Sequence, residues 1–335
     1  MRNCVSFDDV LLAPCYSDIV SRKDISLDCK LGPELEFRIP IISSPMDTVT
    51  ESAMVKSIHE AGGLGIIHRY NTIKEQAFMV HEAQHCNVGA AIGVSGDYLE
   101  RAQVLVEAGA NVLCVDIAHG HHVLMRHALK TLRNTMGHDI HIMAGNVATR
   151  QGYEDLVAWG ASSVRVGIGG GSICSTRIQT GHGIPTLQSV LDCAESEHSG
   201  DYPIIADGGI KNSGDIVKAL AAGADFVILG SLLAGTTESP GEVIYEGRVP
   251  CKVYRGMASK DAQMNWRGHT SSVEGVTSSV PVKGPAFDIL HDLATNVKSG
   301  FSYSGASNIS DLQARCRFVK QTFAGAAESS THILT

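Results

Sequence analysis

The sequence predicts a closed (β/α)8 barrel, and three observations point to that fold class. Short apolar runs rich in β-branched residues occur eight times, and stretches with apolar residues three and four positions apart separate them. The runs are almost continuously apolar, which is typical of parallel strands covered by helices on both faces. Eight such units account for residues 1–335 as a single catalytic domain. A doubly wound sheet is the alternative, although no G-x-G-x-x-G opens the first helix.

The helices between the predicted strands end repeatedly on glycine. The phrases are EAGG at 60–63, EAGA at 107–110, WGAS at 159–162 and AAGAD at 221–225. Glycine suits this place because it adopts the left-handed backbone of a helix C-cap without a steric penalty. The strands are predicted at 39–43, 64–68, 88–94, 112–117, 141–147, 163–167, 203–208 and 226–231.

A polar stretch of about fifty residues follows the eighth predicted strand. It is much longer than most connections in compact domains, which rarely exceed about 12–15 residues unless they are functional or disordered. Because it follows the last strand, it lies at the catalytic end of a barrel. We therefore expect residues 236–284, called the lid segment below, to cover an active site.

Composition excludes several classes of protein. A formal charge of −8 and a pI near 6.0 lack the basic footprint of a protein that binds nucleic acid or anionic membranes. Nine scattered cysteines without a C-x-x-C pair argue against a disulfide framework and a zinc ribbon, and they fit a reducing cytoplasm. Asp8 and Asp9 interrupt any signal-peptide core, and no run approaches the ~18 apolar residues of a membrane span. We expect a cytoplasmic protein with a small-molecule partner.

One cysteine stands apart from the other eight. Cys174 follows three consecutive glycines at the end of the sixth predicted strand, which places it in the mouth of the barrel. We interpret it as a candidate nucleophile, whereas a small buried hydrophobe is the alternative and the preferred interpretation of the remaining cysteines.

Glycines after the next two strands predict a phosphate site. Gly208 and Gly209 follow the seventh strand, and Gly230 and Ser231 follow the eighth. Barrels frequently bind phosphate on these loops through backbone amides. Asp207 is placed to accept hydrogen bonds from a sugar diol, although turn chemistry alone also explains paired glycines.

Four histidines near the end of the fourth predicted strand do not have metal-ligand spacing. A helical metal pair needs positions i and i+4 together with a third ligand. We interpret them as solvated or helix-start residues, while Asp116 just before them is either an N-cap or a site carboxylate. The histidines are His119, His121, His122 and His127.

Several motifs resemble the family that contains inosine monophosphate dehydrogenase and guanosine monophosphate reductase. They are GIGGGSICSTR, IIADGGI, KALAAGADFVILGSLLAGT, YRGM, FDDVLLAP and MDTVTE, and the resemblance extends from Phe7 to about Glu328. It implies a (β/α)8 barrel, a cysteine that attacks purine C2, a nicotinamide cofactor and a homotetramer.

The resemblance also implies residue roles. Cys174 would form the covalent thioimidate, and Thr176 and Glu274 would transfer protons. Contacts to the nucleotide are implied for Ser172, Asp207, Gly208, Gly209, Gly230, Ser231, Tyr254, Gly256, Met257 and Gly275. Contacts to the cofactor are implied for Asp116, Ile117, Ala118, Ile168, Gly169, Met257, Ser21, Arg22, Arg69, Ser304, Gly305 and Ala306. Backbone carbonyls of Gly169, Gly171, Cys174 and Arg177 would hold K⁺ or another monovalent cation.

The resemblance covers two activities, and the lid segment bears on the choice. The dehydrogenase passes hydride to NAD and hydrolyses the adduct with water activated by an Arg-Tyr pair on a long flap, whereas the reductase releases ammonia and takes hydride from NADPH. Only sixteen residues separate Met257 from Glu274, and the nearest approach to an Arg-Tyr pair is Trp266-Arg267. Residues 73–87 lead directly to the third strand without a regulatory CBS insert. The sequence favours NADPH-dependent reductive deamination of GMP to IMP and ammonia.

Two other functions stay open. MDTVTESAM, GGLGIIH and DIAHGHH are more like the dehydrogenase, so a CBS-less enzyme that oxidises IMP to XMP with NAD is one alternative. A non-catalytic purine-nucleotide-binding barrel is the other, because the amino-acid sequence of the lid segment departs from the reductase pattern.

Overall fold

The computed structural model describes residues 2–329 of the chain. Two short 3-10 turns, Phe7–Asp9 and Arg22–Asp24, lie near the amino terminus. The strands are β1 (Val10–Leu12), β2 (Cys29–Gly32), β3 (Leu35–Phe37), β4 (Ile41–Ser43), β5 (Leu64–Ile67), β6 (Val88–Ile92), β7 (Val112–Asp116), β8 (His141–Val147), β9 (Ser163–Val166), β10 (Ile204–Asp207), β11 (Phe226–Leu229), β12 (Ile244–Glu246), β13 (Val249–Arg255), β14 (Thr277–Pro281) and β15 (Phe318–Lys320). The helices are α1 (Ser52–Ala61), α2 (Ile73–Glu82), α3 (Tyr98–Glu107), α4 (Val123–Met136), α5 (Arg150–Ala158), α6 (Thr176–Thr180), α7 (Thr186–Ala194), α8 (Ser213–Ala221), α9 (Lys260–Arg267), α10 (Ala286–Tyr303), α11 (Ile309–Arg315) and α12 (Phe323–Glu328).

Strands β4 to β11 form a closed parallel barrel, which confirms the predicted fold class. Each strand pairs with its neighbour in sequence, and β11 pairs with β4 to complete the circle. Each of the eight predicted runs contains one barrel strand, and most strands stop a residue or two earlier than predicted. The last strand ends at Leu229, so Gly230 and Ser231 lie in the turn that follows it.

Glycines at the ends of the barrel helices have the conformation that the sequence predicts. Gly62 follows α1 with φ 99°, and Gly223 follows α8 with φ 107°. Both angles lie in the left-handed region, where side chains other than glycine are strained. The recurring phrase EAGG or AAGA is therefore a helix stop that turns the chain into the next strand.

The amino end of the barrel is closed by the hairpin of β2 and β3. Phe37 packs edge-on against Phe226, the first residue of β11, with ring centroids 5.8 Å apart. Leu31 joins the same buried cluster inside the barrel. Because side chains fill this end, a ligand has access from the opposite end, where the strands finish.

The lid segment is folded. Strands β12, β13 and β14 form a three-stranded antiparallel sheet, called the lid sheet below, and α9 lies between β13 and β14 in sequence. This sheet follows β11 and precedes α10, so it rises from the carboxyl end of the barrel. Among residues 2–329, no helix has both the length and the apolar character needed to cross a membrane.

Candidate active site

Cys174 lies at one end of a short chain of hydrogen bonds at the mouth of the barrel. Its thiol donates to Thr176 Oγ1 at 3.2 Å, and the Thr176 hydroxyl donates to Glu274 Oε2 at 2.8 Å. The Ser272 hydroxyl donates to the other oxygen of Glu274 at 3.2 Å. A thiol, a hydroxyl and a carboxylate in this order form a path along which a proton can leave sulfur.

Backbone pairing brings Glu274 to the cysteine loop across 98 positions in the sequence. Cys174 and Gly275 form an isolated β-bridge, and the Ser175 N–H donates to the carbonyl of Glu274 at 2.9 Å. The Val276 N–H donates to the Ile173 carbonyl at 3.0 Å. The lid segment therefore supplies the carboxylate of the site.

Arg177 braces the glycine loop that carries Cys174. Its Nη2 donates to the carbonyls of Ile184 at 2.8 Å and Ile168 at 3.4 Å. Gly169 has φ 79°, and a Cβ there would lie 2.5 Å from Cγ of Arg177, so a larger residue would displace the arginine. The Gly171 carbonyl accepts the N–H of Cys174 at 3.1 Å. The monovalent cation assigned to this loop stays a prediction.

The loops predicted to hold phosphate converge. A Cβ on Gly208 would lie 2.9 Å from the backbone nitrogen of Gly171, so the loops after β9 and β10 touch. A Cβ on Gly230 would lie 3.0 Å from the Tyr254 hydroxyl, which is itself 3.4 Å from Ser172 Oγ. Gly209 and Ser231 continue these loops, so the predicted phosphate residues come together from three strands and the lid sheet.

Tyr254 is buried at this convergence. Burial raises the pKa of its phenol above the usual value, although the Ser172 hydroxyl opposes the shift. The hydroxyl therefore stays protonated at neutral pH and can donate a hydrogen bond to an anionic oxygen.

The segment after Tyr254 contacts both Val276, just before β14, and the loop that follows the first barrel strand. The Gly256 N–H donates to the Val276 carbonyl at 3.1 Å, and a Cβ on Gly256 would lie 3.3 Å from Cα of Gly275. The sulfur of Met257 accepts the N–H of Asp47 at 3.3 Å. These contacts place the predicted purine-binding residues beside the Cys174 chain.

Arg165 joins the two predicted ribose-binding carboxylates, and we did not identify it from the sequence. Its Nη2 lies 2.7 Å from Asp207 Oδ2, and its Nη1 lies 2.6 Å from Asp116 Oδ1. Burial alone would lower the pKa of this guanidinium, but Cys114, Asp207 and Asp116 outweigh that effect and hold the pKa well above its usual range. An arginine inside the apolar run SVRV is the signal that could have revealed it.

Arg69 approaches the same carboxylates at the mouth. Its Nε is 3.7 Å from Asp116 Oδ2, and this nitrogen is buried without a hydrogen-bond partner in residues 2–329. Ile117 and Ala118 follow Asp116 along the same edge, and Ile168 follows β9. An unpartnered donor beside a carboxylate fits a ligand that offers an acceptor, as a nicotinamide cofactor does.

Two groups of residues predicted to contact the cofactor lie far from Cys174 of the same chain. They sit at the carboxyl end of α10, where the Ser26 N–H donates to the Ser307 carbonyl at 2.9 Å. A Cβ on Gly305 would lie 2.5 Å from the Tyr16 carbonyl oxygen. Helices run antiparallel to strands in such a barrel, so this surface lies at the amino end of the strands. The residues are Ser21, Arg22, Ser304, Gly305 and Ala306.

The histidines after β7 have structural contacts. His122 caps α4 by accepting the N–H of Leu124 at 3.1 Å, as a helix-start residue does. His121 bonds to Asp155 Oδ2 at 2.7 Å. Across residues 2–329, no group of three or more His, Cys, Asp or Glu side chains is arranged to hold a metal ion.

Trp266 and Arg267 of α9 both pack against Tyr70 in the loop after β5. Trp266 stacks on Tyr70 with ring centroids 6.0 Å apart and ring planes 17° apart. The guanidinium of Arg267 lies 5.9 Å from the centroid of the same ring. This aromatic contact holds α9 against the loop after β5.

A barrel with a cysteine at its mouth, a converging set of glycine loops and paired carboxylates is typical of an enzyme that acts on a phosphorylated ligand. The chain belongs to the IMP dehydrogenase / GMP reductase family, because residues 4–332 match the domain of that description. Members of the family are oxidoreductases that use nicotinamide cofactors.

Relatives with both names are similar to this chain. It is 36% identical to inosine-5'-monophosphate dehydrogenase of Nitrosopumilus maritimus, with 98% of each chain covered. It is 32% identical to GMP reductase of Leishmania major, with 98% of this chain and 96% of the relative covered. A crystal structure of a cysteine-to-alanine variant of GMP reductase from Trypanosoma brucei, in complex with guanosine 5'-monophosphate, matches with a TM-score of 0.95 and 31% identity over 99% of this chain and 98% of that one.

Chain length does not separate the two activities. The two alignments run over 468 and 474 positions, whereas this chain has 335 residues. Relatives of both names therefore carry residues that have no counterpart here, and the missing insert carries no weight in the choice.

Proposed function

We propose that the protein is a GMP reductase, which converts GMP, NADPH and a proton to IMP, ammonia and NADP⁺. The hydrogen-bond chain from Cys174 through Thr176 to Glu274 carries this proposal. It provides a nucleophile and a proton carrier in one place, and a neighbouring pocket suits a nucleoside monophosphate.

In the first step, the sulfur of Cys174 attacks C2 of guanine and forms a C–S bond. The thiol proton passes to Thr176 Oγ1, and the Thr176 proton passes to Glu274, whose carboxylate acts as the base. The proton held on Glu274 then returns by the same path to the departing 2-amino group. Ammonia leaves when the C–N bond breaks, and C2 remains bound to sulfur as a thioimidate.

In the second step, the C–S bond is exchanged for a C–H bond. NADPH supplies the hydride when it is bound, and Cys174 leaves as a thiolate. A proton taken up from solvent passes through Glu274 and Thr176 and restores the thiol. Asp116 and the unpartnered Nε of Arg69 would hold the cofactor at the carboxyl edge of β7. Arg165 keeps Asp116 and Asp207 oriented toward the two riboses.

The lid segment supports the reductase over the dehydrogenase. Oxidation of IMP ends with hydrolysis of the thioimidate, which requires a residue that activates water. The sixteen residues between Met257 and Glu274 contain no Arg-Tyr pair, and Trp266-Arg267 is engaged with Tyr70. The reductase omits the hydrolytic step, so it needs no such residue.

We further propose a homotetramer in a cytoplasmic setting, with K⁺ or another monovalent cation at the Cys174 loop. The remote position of the Ser304–Ala306 segment supports assembly, because these residues can reach a cofactor only on a neighbouring copy of the chain. The same holds for Ser21 and Arg22.

The test is a spectrophotometric assay of the nicotinamide band. We expect absorbance to fall when the protein receives GMP and NADPH, with one ammonia released for each NADPH consumed. A rise with IMP and NAD would instead establish the dehydrogenase, which the relative from Nitrosopumilus maritimus makes the second candidate. Nucleotide binding without either change would contradict catalysis and favour the non-catalytic barrel.

A further inference from the structure

We propose that Lys252 is a positioning residue for the phosphate group of the nucleotide. Its buried ammonium fixes residues 230–239, called the phosphate turn below, against the lid sheet. Gly230 and Ser231 are thereby held in register with Tyr254 and Ser172. This inference rests on the proposed function, because it concerns the phosphate end of the same nucleotide site.

The ammonium of Lys252 uses its three hydrogens on three carbonyl oxygens of the phosphate turn. Nζ donates to Ser239 O at 2.6 Å, to Thr236 O at 3.0 Å and to Thr237 O at 3.1 Å. Lys252 is only 6% exposed to solvent. A buried cation bound in this way is costly to remove, since the three carbonyls would lose their donor.

The phosphate turn begins as a single helical turn. The N–H groups of Leu233 and Ala234 both donate to the Gly230 carbonyl, at 3.0 and 2.9 Å. Gly230 and Ser231 therefore form the amide-rich start of the turn, and Thr236 and Thr237 present carbonyls at its end. The Lys252 ammonium lies at the carbonyl end, where a cation is favoured.

Lys252 and Tyr254 lie on the same face of β13, because side chains two positions apart in a strand share a face. The Tyr254 hydroxyl lies beside Gly230 at the start of the phosphate turn, while the Lys252 ammonium donates hydrogen bonds to carbonyls at its end. One strand thus supplies both a direct contact to the phosphate pocket and the anchor that sets the distance across it.

The start of the turn is tied to the lid sheet as well. Lys283, two residues after β14, donates from its backbone N–H to Gly235 O at 2.9 Å and from Nζ to Ser231 O at 2.6 Å. The Thr237 N–H donates to Gly284 O at 2.9 Å. The phosphate turn is therefore bonded to the segment that follows the lid sheet at several points.

The Cys174 chain is held by different contacts. Its link to the lid runs through the bridge between Cys174 and Gly275. Loss of the Lys252 ammonium is expected to disturb the phosphate end of the ligand and to spare the reacting end. Positioning shifts of about 1 Å are enough to change binding measurably.

The test compares GMP with guanosine in Lys252→Met, using calorimetric titration. We expect the Kd for GMP to rise about tenfold, which corresponds to about 1.4 kcal/mol, while the Kd for guanosine changes less than about twofold. The binding of inorganic phosphate, measured by competition, should weaken by a similar factor. In the full assay, KM for GMP should rise while kcat at saturation stays within about threefold.

The matched control is Arg133→Met. Arg133 is also a partly buried cation bound to backbone carbonyls, of Gly160 at 2.7 Å and Ile140 at 2.9 Å, but it lies at the amino end of the barrel. The Arg133→Met variant should leave the ratio of GMP affinity to guanosine affinity at the wild-type value. Lys252→Arg, which keeps a charge and N–H donors, should restore most of the ratio.

An unchanged ratio in Lys252→Met, or an equal loss for GMP and guanosine, would overturn the positioning role. If this variant does not fold, Lys252→Gln replaces it, since glutamine can still donate to one carbonyl, and the ratio decides in the same way. A wild-type chain that binds neither GMP nor inorganic phosphate would instead refute the proposed function itself.

Discussion

Glu274 accepts a hydrogen bond from the Thr176 hydroxyl at 2.8 Å, and this contact joins the lid segment to the cysteine loop of the barrel. In the proposed function the lid segment is a part of the catalytic apparatus, because the pairing of Gly275 with Cys174 places this carboxylate beside the cysteine loop.

Glu274→Gln should lower kcat about 10²–10⁴-fold, the range typical of losing a general acid–base group. The amide can still accept the Thr176 hydroxyl, but it cannot take up a proton. We expect the Kd for GMP to stay near the wild-type value by calorimetric titration. Glu242→Gln, on an exposed part of the lid segment, is the control. Equal turnover in Glu274→Gln and the control would remove Glu274 from the proton path.

Cys174→Ala should abolish turnover and leave GMP binding largely intact. The proposed phosphate and purine contacts come from other residues, whereas the covalent bond requires sulfur. Mass spectrometry of wild-type protein quenched with GMP should show a covalent adduct that the variant lacks. Cys4→Ala, at an exposed cysteine, should behave as wild type. Turnover at the wild-type rate in Cys174→Ala would rule out the covalent mechanism.

Arg165→Met should destabilise the fold by about 3–5 kcal/mol, because it leaves two largely buried carboxylates without their shared cation. The free energy of unfolding by urea would measure the loss. The triple variant Arg165→Met, Asp116→Asn, Asp207→Asn should recover part of it, since the two carboxylates left without Arg165 are then neutral amides. If the carboxylate substitutions add to the loss, the ion pairs are not what holds this part of the barrel.

Asp225 makes stability depend on pH. Burial raises the pKa of its carboxyl to about 6. The Ile204 N–H donates a hydrogen bond to this carboxyl at 2.8 Å, which offsets part of the rise. The folded state therefore binds a proton that the unfolded state has released, and the contribution of Asp225 becomes less favourable as pH rises from about 4 to about 6. Asp225→Asn should stabilise the protein, and the gain should be about 1–2 kcal/mol larger at pH 7.5 than at pH 5.

The measurement is the difference in unfolding free energy between Asp225→Asn and wild type at the two pH values. His141 titrates with the opposite sign, because burial lowers its pKa to about 3 and its contribution is lost as pH falls below about 6.5. Both proteins carry His141, so its effect cancels in the difference. A gain that does not grow with pH would show that Asp225 is ionised in the folded state.

The sequence by itself determined the barrel and the location of its chemistry. Alternation of apolar runs with helical periodicity, together with glycine at each helix stop, specifies eight parallel strands, and the position of Cys174 after the sixth run places it at the mouth. These features are local, so they can be read without knowing which distant residues meet.

Tertiary structure decided the partners. Arg165 lies in an apolar run, and the side-by-side pairing of strands β7 to β10 brings Asp116 and Asp207 from two other strands to its guanidinium. Glu274 reaches Thr176 because the lid pairs with the cysteine loop, and Lys252 reaches three carbonyls because the lid sheet packs on the phosphate turn. These contacts join residues far apart in sequence, and their energy depends on burial and geometry that residue order does not contain.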